Sequence, residues 1–124
     1  MAYPVLYDPT RHVILTAIMT DVATASSAWI QCPVDGYIVE AGSIIETATT
    51  AAAAAITVEI NGTAITGISI TVANSGSAAG DSYSDVPTSL STSFVNPGDS
   101  LEVISSGASS TTAPMTWLWE IEVV

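Results

Sequence analysis

The chain has 124 residues, with 12 Asp+Glu against a single Lys+Arg, a formal net charge of −11, and 48% hydrophobic residues against only 10% charged. Its sole base is Arg11, and there is no lysine. One cation cannot neutralise a run of phosphates, which excludes duplex nucleic acid as a partner, and the same shortage excludes docking on anionic membrane surfaces.

Along the chain, residues 1–12 read as an extended arm. Tyr3, Pro4, Val5, Leu6 and Tyr7 precede Asp8-Pro9. This apolar, Pro-punctuated stretch lacks the basic and continuously apolar regions of a signal peptide. It is expected to lie against its own body or another subunit. Residues 11–19 are rich in Val, Ile and Leu and predict a strand. Residues 28–32 predict a second, ended by Pro33 and the turn Pro33-Val34-Asp35-Gly36. Residues 37–46 predict a third, with Gly42 expected to bend or bulge it. The alanine run at 51–55 is too short and uncapped to hold a helix, so 49–55 reads as a loop leading into a strand.

Ile56, Val58 and Ile60 then alternate with Thr57 and Glu59. Asn61-Gly62 follows, a pair that tolerates the positive φ of a tight hairpin turn, and Ala64, Thr66, Ile68, Ile70 and Val72 continue in step. Residues 74–82 form a Gly/Ser-rich loop. Residues 89–95 predict another strand, Asn96-Pro97-Gly98-Asp99 a turn, and Leu101 and Val103 a further strand. In the last strand Trp117, Trp119, Ile121 and Val123 share one face, and Glu120 and Glu122 the other. About eight strands with frequent turns predict an all-β, single-domain antiparallel β-sandwich of jelly-roll type over 13–124, preceded by the arm.

No constellation of residues marks an enzyme. His12 is the only histidine, so a triad has one choice of base and no visible partners. Cys32 is the only cysteine and reads as a buried small hydrophobe, and no thiolate or imidazole metal site can form within one chain. No phosphate-cradling motif occurs, and no cofactor is expected. The carboxylates fall on turns (Asp35, Asp99) and alternating strand faces (Glu59, Glu120, Glu122), where solvation explains them. Asp81-Ser82-Tyr83-Ser84-Asp85 offers oxygen ligands of the kind Ca²⁺ takes, but lacks the EF-hand spacing, and a solvated loop is the simpler reading. Asp81, Tyr83 and Asp85 form a candidate exposed loop, with Tyr83 available to a sugar or partner. Trp29, Trp117 and Trp119 read as core or interface. No stretch is long and apolar enough to span a membrane as a helix, so a cytoplasmically made soluble chain is expected. Its mean hydropathy of +0.51 then calls for an oligomer or partner interface.

Three signals together carry a resemblance: the turn Cys32-Pro33-Val34-Asp35-Gly36-Tyr37, the hairpin Ile60-Asn61-Gly62, and Asn96-Pro97-Gly98-Asp99-Ser100-Leu101-Glu102-Val103. Over roughly residues 28–105 the chain resembles the small β-sandwich head decoration, or cement, proteins of tailed bacteriophages. The resemblance implies a non-enzymatic virion protein, a homotrimer on the outer surface of an icosahedral capsid, bound to the major capsid protein. Tyr3, Pro4, Val5, Leu6, Tyr7 and Arg11 are then the candidate capsid or intersubunit contacts, with Arg11 pairing a carboxylate across an interface. A phage or cell-surface carbohydrate- or receptor-binding module is the alternative.

Overall fold

The computed structural model describes residues 11–107 and 112–124, so the arm residues Tyr3, Pro4, Val5, Leu6 and Tyr7 lie outside it. The strands are β1 (His12–Met19), β2 (Ser26–Gln31), β3 (Gly36–Ile45), β4 (Ala54–Ile60), β5 (Thr63–Val72), β6 (Ser82–Asp85), β7 (Phe94–Val95), β8 (Ser100–Ser105) and β9 (Met115–Val123). They form two antiparallel sheets. One runs β1–β9–β3–β6, with β7 also paired to β3, and the other runs β2–β8–β4–β5. The predicted all-β sandwich is the observed architecture, with nine strands among the described residues.

Alternation places the core between the sheets. Met115, Trp117, Trp119 and Ile121 of β9 face Ile56, Val58, Leu101 and Val103 of the opposite sheet, all buried. The rings of Trp117 and Trp119 meet edge to face, with centroids 6.0 Å apart. Neither indole N–H has a partner among the described residues. An unmade hydrogen bond costs about 1–3 kcal/mol, whereas removing roughly 200 Å² of indole from water is worth about 5 kcal/mol. Burial therefore wins at both positions.

The Asn61-Gly62 hairpin forms as predicted, with φ of 50° and 84°. It is also clamped to the Asn96–Asp99 turn. Asn61 Nδ2 donates to Asp99 Oδ1 at 2.9 Å, and the Ser100 N–H donates to Asn61 Oδ1 at 2.8 Å. Past the turn, the predicted phase of β5 holds at Ile68, Ile70 and Val72 but fails before them. Ala64 and Thr66 are exposed while Ile65 and Ile68 are buried, because an irregularity opposite Val58 absorbs residues 65–68. Gly67, at φ +98°, sits in it. The bulge ties the two sheets together: Thr88 N–H donates to the Thr66 carbonyl at 2.9 Å, and Ser69 N–H to Asp85 Oδ2 at 3.0 Å.

Two further differences have local causes. Residues 89–95 form a single 3-10 turn over Leu90–Thr92 before the two-residue β7. Hydroxyls drive this: Ser93 Oγ donates to the Leu90 carbonyl, and Thr92 Oγ1 accepts from Thr66 N–H, offering the backbone an alternative to a ladder. In β3 the bulge lies at Val39 rather than Gly42, since Ile38 pairs with Ile121 but Glu40 with Glu120.

At the far end, the Asp21 carboxylate gathers the 20–25 turn and the approach to β9. It accepts from Ala113 N–H (3.0 Å), Ala23 N–H (2.9 Å) and Thr24 Oγ1 (2.9 Å). These bonds, that from Ala113 foremost, hold its carboxyl below the usual carboxylate range.

Two stability predictions follow from these contacts. A Cβ on Gly67 would lie 2.5 Å from Thr88 N, so Gly67→Ala should cost at least about 2 kcal/mol in urea unfolding. Gly98→Ala, at φ +92° but with open space around it, should cost only about 1 kcal/mol, and equal losses would show that the Thr88 contact is immaterial. For Asp21, the folded pKa lies below the unfolded one, so its stabilisation is present above about pH 4 and fades as pH falls through the lower folded value. Asp21→Asn should therefore be about 1 kcal/mol less stable than the parent at pH 7, with the difference shrinking below pH 4. A pH-independent difference would contradict this.

Candidate interaction face

Among the described residues, the outer surface of the five-stranded sheet is where strand alternation presents large apolar side chains to solvent in a group. β1 sends Leu15, Ala17 and Met19 inward, and Ile14 and Ile18 outward, 51% and 69% exposed. On β9 the outward residues are Thr116, Leu118, Glu120 and Glu122, and on β3 they include Glu40, Gly42 and Ile44, the last 50% exposed. Register lines these up in rows. Ile14, Glu120 and Glu40 are neighbours across three strands. Thr16, Leu118, Gly42 and Ser84 form the next row, and Ile18, Thr116, Ile44 and Ser82 the third.

Gly42 decides the shape. With no side chain beside Leu118, the middle row opens into a trough of about 470 Å³, walled by Ile14, Leu118 and Ile44 and edged by hydroxyls of Thr16, Thr116, Ser82 and Ser84. Two carboxylates close one end. The Val39 bulge turns Glu40 outward, since unbroken alternation from Ile38 would aim it at the core. Glu40 then stands directly across from Glu120. Glu120 Oε1 lies 3.1 Å from His12 Nδ1, whereas Glu40 makes no hydrogen bond or ion pair among the described residues. Like charges directly opposed across strands oppose folding, so the arrangement costs stability.

The predicted site residues are distributed differently. Arg11 ends at the same sheet, its guanidinium 3.0 Å from Glu122 Oε1 within the chain, an exposed pair. Tyr83 is not in an exposed loop: it lies on β6, half-buried against the core, where burial first and Asp81 second push its hydroxyl pKa up. The Asp81 and Asp85 carboxylates are engaged in backbone contacts, accepting from Ala78 N–H and from Ser69 and Val86 N–H. Among the described residues no three His, Cys, Asp or Glu side chains are placed to hold a metal. Cys32 is buried and donates to the Val34 carbonyl at 3.3 Å, and burial raises its thiol pKa. Trp117 and Trp119 are core. Trp29 is 62% exposed, on β2 beside Gln31 and Ser100 and opposite Glu102.

Sequence reasoning missed Glu40, Gly42, Ile44 and Leu118 as a group. One signal was present: β1 and β3 carry large apolar residues on both faces of their alternation, Ile14 and Ile18 against Leu15 and Met19, and Ile44 against Ile38 and Ile45, more apolar surface than one core can take up.

No family model matches the chain, and no curated protein matches it. Solved structures do. A family 6 carbohydrate-binding module from Clostridium stercorarium, solved with cellobiose, is 16% identical with a TM-score of 0.56, over 95% of this chain and 86% of that one. A chain of the capsid of Helicobacter pylori bacteriophage KHP30 is 7% identical with a TM-score of 0.55, over 90% of this chain and 87% of that one. A chain of the cyanophage Pam1 capsid asymmetric unit is 14% identical with a TM-score of 0.54, over 100% and 93%. These likenesses establish the sandwich fold, and they include phage capsid chains and a carbohydrate-binding module alike.

Because Glu40 faces Glu120 without a cation of its own, Glu40→Gln should raise stability, by about 0.5 kcal/mol in thermal unfolding at pH 7 and low salt. The gain should shrink as salt is added. A loss of stability would mean that the carboxylate has a stabilising role in the isolated chain.

Proposed function

We propose that this chain is a non-enzymatic structural virion protein that decorates an icosahedral phage capsid on its outer surface, as a homotrimer bound to the major capsid protein. The observation that carries the reading is the outer face of the five-stranded sheet, where Ile14, Ile18 and Ile44 stand exposed around a trough. Such a face is suited to continuous contact with another protein rather than to turnover of a substrate. The capsid likenesses support it, because each pairs nearly all of this chain with nearly all of a capsid chain of comparable length. A protein of this kind does no chemistry. It stabilises a shell by binding the assembled state, and three linked copies turn modest contacts into avidity. Within this reading, residues 3–7 serve as a capsid or intersubunit contact.

A second reading has one observation in its favour. Trp29 is an exposed indole flanked by Gln31, Ser100 and Glu102, the combination of flat aromatic face and polar edge that binds a sugar ring, and a carbohydrate-binding module shares the fold.

Purified protein mixed with undecorated phage heads should co-sediment, saturate at a fixed copy number, and run in solution at three times the 12.7 kDa chain mass. Removing residues 1–10 should weaken retention on heads by about tenfold or more. A monomer that stays in the supernatant would overturn the decoration reading. Glycan binding that is lost in Trp29→Ala would install the second one.

A further inference from the structure

We infer that the trough on the five-stranded sheet receives an extended apolar segment of a different protein, and that this segment carries a lysine or arginine that enters beside Glu40 and Glu120. The trough supplies both parts of such a recognition. From the Glu40/Glu120 row to the Ile44/Thr116 row is four residues of strand, about 13 Å, the length of four extended residues. Ile14, Leu118 and Ile44 wall this length for apolar side chains. An extended segment also brings unpaired N–H and C=O groups, and the hydroxyls of Thr16, Thr116, Ser82 and Ser84 lie along the edges to meet them.

Charge identifies the occupant. Glu40 has no cation among the described residues, faces Glu120, and owes its outward aim to a bulge that breaks the strand ladder. A second copy of this chain is poorly equipped to relieve it. The chain has one Lys/Arg, Arg11, and that residue is held by Glu122. Residues 3–7, Tyr-Pro-Val-Leu-Tyr, are apolar enough for the walls but bring no positive side chain. The charge count thus points to a cation on another polypeptide. Under the decoration reading that polypeptide is the capsid protein, and only this identification rests on that reading.

The test uses the full chain and two capped peptides, Lys-Val-Leu-Val-Lys and Glu-Val-Leu-Val-Glu, titrated while backbone amide shifts are followed by NMR. The lysine peptide should move the amides of residues 14, 40, 42, 44 and 118, with an affinity about three- to tenfold above that of the glutamate peptide. Glu40→Gln with Glu120→Gln should remove that preference but not the binding. Ile44→Asp should abolish binding while the spectrum keeps its folded dispersion. The inference is overturned if both peptides bind equally to the parent, if the shifts map elsewhere, such as around Trp29, or if neither binds up to about 5 mM. Undecorated heads separate this from the wider reading. If Ile44→Asp stays on heads as well as the parent, the trough is not the docking site although decoration stands. If the parent ignores heads but the lysine peptide fills the trough, decoration fails and the trough's specificity survives.

Discussion

The structure depends on one strand being asked to satisfy two environments. β9 lies between β1 and β3, and its alternation sends Trp117, Trp119 and Ile121 into the sandwich and Leu118, Glu120 and Glu122 out of it. The inward face is the strongest hydrophobic anchor in the molecule, since two buried indoles outweigh the hydrogen bonds they forgo. Because side chains on a strand alternate with a period of two, anchoring that face also determines which residues look outward. The trough's wall at Leu118 and its acidic end at Glu120 are thus by-products of where the tryptophans must go.

Around this strand, the irregular positions carry the specificity. The Val39 bulge rotates Glu40 from the core side to the outer side, placing a second carboxylate next to Glu120. Gly42, one step further, leaves the gap that becomes the trough. The bulge around Gly67 acts on the other sheet, lending backbone groups to Thr88, Thr92 and Asp85 and so holding the β6 side of the sandwich in place. Bulges cost ladder hydrogen bonds and are kept where they re-aim a side chain or a backbone group. The opposed carboxylates fit the same pattern, a local cost at the surface proposed to receive another molecule.

The low count of cations gives this surface its meaning. In a chain with many lysines an unpaired glutamate would find a neighbour. Here Arg11 is paired with Glu122 and His12 approaches Glu120, which leaves Glu40 without a cation among the described residues. Elsewhere carboxylates are consumed by backbone capping. Asp21, Asp81, Asp85 and Asp99 each accept from main-chain N–H groups, so much of the acidity serves turns rather than ligands.

Most of the fold was legible in the sequence. Period-two alternation located β4, β5, β8 and β9, because a half-buried strand must repeat with that period, while apolar content and the bounding turns at Pro9 and 33–36 located β1 to β3. Asn61-Gly62 marked its hairpin through backbone sterics alone. The tryptophans of β9 declared a core, while the same reasoning could not tell that Trp29 faces solvent, since a lone indole on a short strand has no phase of its own. The Ser/Thr-rich 89–95 segment misled, because hydroxyl bonds to the backbone are invisible until the partners are placed. Local sequence therefore determined which segments are strands and which face of β9 is buried. Tertiary structure alone decided that Glu40 stands beside Glu120, that Gly42 opens next to Leu118, and that Tyr83 packs inward. Those outcomes depend on register between strands distant in the chain, and a single extra residue at Val39 reverses every face that follows it.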